Sequence, residues 1–106
     1  MIMPLTRDFK ETILERAQND AAFRVGLLTE ALECLLNNEP DVAKSLMRDY
    51  VNATIGFQEL GLMLEKEPSS LMRMLSPKGN PSIANMSQVI AAMRQHEGIE
   101  LHVRAG

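Results

Sequence analysis

Apolar residues recur at three- and four-residue intervals through almost the whole chain, a period that admits helices and little else. Phe9, Ile13 and Ala17 share one face, after Thr6, which suits an N-cap, and Asp8, which suits a first turn. Phe23, Leu27, Leu28, Ala31, Leu32 and Leu35 form the strongest stripe, opened by Asp20 and stopped by Asn37-Asn38. Pro40 fits the first position of a third helix that turns Val42, Leu46, Met47 and Tyr50 to one side, with Gly56 past its end. Phe57, Leu60, Gly61 and Leu64 then mark one short helix, and Leu71, Met74 and Leu75 a second that starts at Pro68. Only Glu65-Lys66-Glu67 lies between these two. Asn80 as cap and Pro81 as first residue begin a last helix over approximately 81–95, which buries Ile83, Met86, Val89, Ile90 and Met93 and closes at Gly98.

The period changes once. In Ile99-Glu100-Leu101-His102-Val103-Arg104 apolar and polar residues alternate, the pattern of a strand with one covered face. A strand needs a partner for its backbone, and nothing else in the chain reads as one, so pairing with a second copy or another protein is favoured. The expected fold is all-α, five to six short helices with a short C-terminal strand over approximately 99–104. With 106 residues the chain makes a single domain over 1–106.

Composition narrows the function classes. Hydrophobic residues at 45% and charged residues at 24% fit a chain with a packed core and exclude a low-complexity or disordered one. Aromatics at 4%, with no Trp, provide no platform for stacking single-stranded bases. Cys34 is the only cysteine, so no intrachain disulfide is possible, and its place beside an apolar stripe makes it a small core hydrophobe. Without a signal-peptide pattern or a long apolar run, the expected compartment is the cytoplasm, with no membrane association. The sequons at Asn52 and Asn85 are then chance matches.

An enzyme is not expected. A nucleophile such as Cys34 or a serine would have to pair with His96 or His102, and both histidines fall in a polar segment without an orienting partner. They also lack Cys or Glu at ligand spacing, so no metal and no cofactor are expected. Pro77-Lys78-Gly79-Asn80-Pro81 lacks the second Gly and the Lys-Ser or Lys-Thr of a phosphate loop.

The formal charge of −3 conceals an uneven layout. Residues 1–52 hold six basic against nine acidic groups, residues 53–106 five of each, and Pro68 to His96 contains Arg73, Lys78 and Arg94 with no acid. Within that stretch, if Leu71, Met74 and Leu75 point inward, then Ser69, Met72, Arg73 and Ser76 fall on the outward face. Short polar side chains and one guanidinium suit a helix that enters a major groove, where Arg forks onto guanine O6 and N7. Gly61 supplies the small residue that two helices need where they cross at a tight turn. This spacing fits a helix-turn-helix over approximately 56–76; ordinary short helices with a solvated face fit it as well.

The run Phe57 to Met93 resembles the helix-turn-helix of phage-repressor (Cro/Xre) type: a Glu-Leu opening, a turn, a Ser-rich second helix and a basic loop ending Asn80-Pro81-Ser82. More closely, Thr6–Asp20, Met47–Phe57 and above all Ser70–Pro81 resemble the antidote proteins of HigA-like addiction modules, a likeness that spans nearly the whole chain. The resemblance implies a homodimeric repressor on double-stranded, palindromic operator DNA, serving as antitoxin to a RelE-like toxin in a type II module. Ser69, Ser70, Met72 and Arg73 become base-contact candidates, and Gln58, Lys78 and Asn80 phosphate candidates; for Asn80 a helix cap competes. Two positions depart from the repressor pattern: Glu65 stands where the turn often has Gly, and Phe57 where a phosphate-binding Gln is common, with Gln58 one place on; Pro68, at the first helical position, offers no side-chain hydrogen bond to a base. The rival expectation is an acidic helical interaction module that binds a basic protein without binding DNA.

Overall fold

The computed structural model describes residues 7–106, apart from the side chains of Arg7, Asp8 and Lys10. Thr6 as a cap and the side chain of Asp8 lie outside the described residues. Among the described residues six helices follow one another: α1 (Arg7–Asn19), α2 (Ala21–Leu36), α3 (Pro40–Ala53), α4 (Phe57–Leu64), α5 (Pro68–Met74) and α6 (Ile83–Glu97). The expected punctuation sets most boundaries. The Asp20 carboxylate accepts from the Phe23 N–H at 3.2 Å, Asn37 caps the end of α2, and Pro40 occupies the first turn of α3. Gly56, with φ 79°, turns the chain into α4, and Gly98, with φ 71°, ends α6.

Two apolar clusters hold the helices together. The larger joins Leu28 and Ala31 of α2, Met47, Tyr50 and Val51 of α3, Leu60 of α4, Leu71 of α5, Leu75 just beyond it, and Val89, Ala92 and Met93 of α6. The smaller joins Ala17, Leu27 and Ala53, with Leu14, Phe23 and Leu46 packed against it. Each large side chain fully buried in this way contributes about 1.5–3 kcal/mol relative to exposure. Cys34 is buried, as a small hydrophobe would be, and desolvation pushes its thiol pKa up.

A polar tie crosses the apolar interior where four helices meet. The Tyr50 hydroxyl donates to Glu97 Oε1 at 2.6 Å, Arg24 Nε bonds both Glu97 oxygens at 3.0 and 3.1 Å, and Arg24 Nη1 donates to the Ala17 carbonyl at 2.8 Å. Every buried side-chain polar atom among the described residues has a partner, the condition under which such a network rigidifies rather than weakens a core.

Several expectations need correction. Residues 99–106 run as irregular chain, and no strand occurs among the described residues, because the one alternating segment has no second strand to complete a ladder. The cap of α6 is Ser82, whose Oγ accepts from the Asn85 N–H at 3.1 Å; Asn80 lies two residues upstream in non-helical chain, and the helix starts at Ile83 instead of Pro81. Ile83, the first residue of α6, is 87% exposed: it stands six residues before the buried Val89, a rotation of ~120° from it. Val42 is also exposed: it precedes Met47 by five residues, a rotation of ~140° away from the inward face, and Ala43 takes the buried place. Phe9 lies outward too, since α1 packs through Leu14 and Ala17.

Candidate nucleic-acid interface

The two short helices are joined by a turn that sequence chemistry makes costly. Glu65 adopts the left-handed conformation, φ 54° and ψ 47°, which side chains with a Cβ disfavour by roughly 1–2 kcal/mol. What offsets this is closure: the Lys66 N–H reaches back to the Gly61 carbonyl at 3.0 Å, the six-to-one bond of a Schellman turn. Gly61 permits it sterically. A Cβ there would lie 2.7 Å from the Lys66 carbonyl oxygen and 3.3 Å from Pro68 Cγ. The turn expected of a Gly therefore forms with Glu in its place.

Pro68 then starts α5, whose fixed φ and missing N–H cost nothing in a first turn. Leu71 and Leu75 are fully buried and Met74 packs against the core, so the helix has one possible outward face. Ser69, Ser70, Met72 and Arg73 are exposed on it. Arg73 makes no side-chain hydrogen bond or ion pair among the described residues, which leaves its guanidinium available. Ser76, expected on the same face, is half-buried and turns its hydroxyl back to the Arg73 carbonyl at 2.7 Å.

The loop after α5 is held from outside its own half of the chain. Lys44 of α3, 4% exposed, donates to the Gly79 carbonyl at 2.6 Å and the Pro77 carbonyl at 3.2 Å. One turn on, Arg48 Nη1 donates to the Leu75 carbonyl at 2.5 Å and so caps the end of α5. Lys78, between the two carbonyls that Lys44 holds, is exposed. Gly79 fits because a Cβ would collide with the carbonyl oxygens of Arg73 and Met74. Sequence reasoning counted Lys44 and Arg48 only as charges of the acidic half. The usable signal is their i, i+4 spacing, which puts both cations on one side of α3.

Of the phosphate candidates, Lys78 and Asn80 lie exposed in this loop. Gln58 is exposed elsewhere, in a shallow groove at the turn with Glu65, Lys66, Glu67 and Pro68. The two carboxylates there oppose a phosphate near Gln58. His96 and His102 are both exposed, the latter with Nε2 3.1 Å from Glu100 Oε1. No helix among the described residues is long and apolar enough to cross a membrane. No family model matches the chain, and neither a curated protein nor a solved structure shows significant similarity to it.

Proposed function

We propose that this chain is a sequence-specific DNA-binding repressor that reads its operator with the outward face of α5, the helices α4 and α5 forming a helix-turn-helix. The observation that carries the reading is the mounting of that face. Leu71 and Leu75 anchor it from below, Arg48 and Lys44 fix its end and the loop beyond, and Arg73, without a side-chain partner among the described residues, stands exposed beside Ser69, Ser70 and Met72. Specific recognition needs this combination of a rigid support and a short, acid-free surface, because a guanidinium misplaced by an ångström loses its bidentate pair with guanine.

One helix of seven residues reads only a few base pairs. The chain therefore acts as a homodimer on a palindromic site, each copy taking one half-site. With Arg73, Lys78 and Arg94 as the basic groups of this region, phosphate contacts per copy are few and non-specific affinity is weak. In the same reading, which here rests on the likeness of its sequence to HigA-like antidotes, the repressor is the antitoxin of a type II module and binds a RelE-like toxin.

The second reading, a module that captures a basic protein without binding DNA, is favoured by the surplus of acid in residues 1–52. A mobility-shift assay on the DNA immediately upstream of the chain's own gene separates the two. Retardation at concentrations that leave a scrambled duplex free supports the repressor. Retardation of neither duplex removes it and leaves the acidic module; equal retardation of both removes sequence-specific reading.

A further inference from the structure

A helix as short as α5, with seven residues, is not stable by itself and takes its definition from what surrounds it. Arg73 is the sixth of the seven, in the last turn, where short helices open first. No glycine in the left-handed conformation closes that turn: the cap is Leu75, at φ −94°. The carbonyls left over at this end need other partners. Ser76 provides two bonds, from its N–H at 3.1 Å and its hydroxyl at 2.7 Å, both to the Arg73 carbonyl. The Leu75 carbonyl is taken instead by Arg48 Nη1 of α3, 27 positions away in the chain. Arg48 is half-buried, and that carbonyl is its only hydrogen-bond or ion-pair partner among the described residues. Its charge makes the bond one of the stronger kind.

The two ends of α5 are thus secured by different means. At the start, Pro68 fixes the backbone and the Glu67 carbonyl accepts from the Ser70 N–H at 3.0 Å and the Leu71 N–H at 3.2 Å. Ser69 and Ser70 stand on this self-contained turn. Arg73 stands on the other, which a cation from α3 closes. Its guanidinium ends a long side chain whose direction follows from the backbone at 73, and a bidentate pair with guanine tolerates little error in that direction. Loosening the last turn costs such a pair more than it costs a contact to phosphate, which a mobile charge still makes.

We propose that Arg48 is a positioning residue for base reading: through the Leu75 carbonyl it fixes the last turn of α5 and so the aim of Arg73, a role that rests on the repressor reading above. The test is the ratio of affinities for the operator and a scrambled duplex, measured by fluorescence anisotropy on variants of the full chain that circular dichroism shows to have wild-type helicity. Arg48→Met should lower that ratio roughly tenfold. Adding Arg73→Ala should lower it little further than Arg73→Ala does alone, because two residues that act through one base contact are not additive. Tyr50→Phe, which removes a bond between α3 and α6 instead, should leave the ratio at the wild-type value, so that lost stability does not account for the effect. If Arg48→Met falls short of wild-type helicity, Arg48→Gln carries the same expectation, since it keeps a polar head but ends before the carbonyl. Equal weakening of both duplexes by Arg48→Met, with the ratio intact and the salt dependence shallower, makes Arg48 a phosphate contact and overturns the proposal. Full additivity with Arg73→Ala overturns it as well. A ratio that falls with Arg73→Ala but not with Arg48→Met refutes the positioning role and leaves base reading by α5 standing; a ratio untouched by Arg73→Ala refutes both.

Discussion

The ammonium of Lys44 on α3 donates to the carbonyl of Gly79 at 2.6 Å, so a side chain from the acidic half of the chain fixes backbone in the acid-free stretch from Pro68 to His96. A second bond, to Pro77 at 3.2 Å, holds the other side of Lys78. Lys44→Met keeps the stem of the side chain and removes both donors. Two carbonyls then lose their partner, and stability should fall by about 1–3 kcal/mol. Hydrogen exchange checks the location: the amides of Ser76 and Gly79, which bond the Arg73 and Ser76 carbonyls, should lose protection while α2 keeps it.

The tie between Tyr50 and Glu97 gives stability a pH dependence. Burial pushes the Glu97 carboxyl up, but hydrogen bonds from Arg24 and Tyr50 and the charge of Arg24 together outweigh it, so its folded-state pKa lies below the ordinary carboxylate value. A depressed carboxyl stabilises fully above its unfolded pKa, about 4.3, and loses that stabilisation as pH falls through the folded value. The wild type should therefore lose melting temperature on acidification below pH ~4.3. Glu97→Gln, destabilised at neutral pH, should converge on it there. Tyr50→Phe removes a hydrogen bond to a charged group and should cost about 1.5–3 kcal/mol in chemical denaturation at neutral pH.

The turn between α4 and α5 allows opposite substitutions at its two key positions. Gly61→Ala forces a methyl against the Lys66 carbonyl and should destabilise by about 1–3 kcal/mol. Glu65→Gly relieves the left-handed strain and should stabilise by about 1 kcal/mol. Thermal unfolding of both variants measures the pair.

The sequence expressed the helices well because their signals are local. Asp20, Asn37, Pro40, Gly61 and Pro68 each act within a turn or two of themselves, and each stands where its chemistry placed it. The exposed face of α5 was legible for the same reason, since burying Leu71 and Leu75 decides where Ser69 and Arg73 go. Local signals misled at Asn80 and Ser82, two cap residues flanking one proline, where propensity alone does not choose between starts two residues apart. What bridges distant segments was not legible. Lys44 meets Gly79 across 35 positions and Tyr50 meets Glu97 across 47, and no period along the chain encodes such meetings. The strand expected at residues 99–104 fails within one chain because its stability depends on a partner that a single chain does not contain.

Lys78 and Arg73 should separate affinity from specificity. Lys78 lies exposed in the loop beyond α5, where the proposed reading has it meet the phosphate backbone. Lys78→Ala should weaken operator and scrambled duplex alike and make the salt dependence shallower by about one unit for each phosphate the ammonium neutralises. Titrations at several salt concentrations provide that slope.

The most direct test of base reading by α5 is the selectivity of Arg73→Ala, measured by fluorescence anisotropy as the ratio of affinities for the operator and for a scrambled duplex, once circular dichroism shows wild-type helicity. Removing a bidentate pair with guanine should cost about 1–3 kcal/mol on the operator, with little change on the scrambled duplex, and flatten the preference at one base position in each half-site. A folded Arg73→Ala that binds its operator with undiminished selectivity would contradict the account and leave the outward face of α5 as solvated surface.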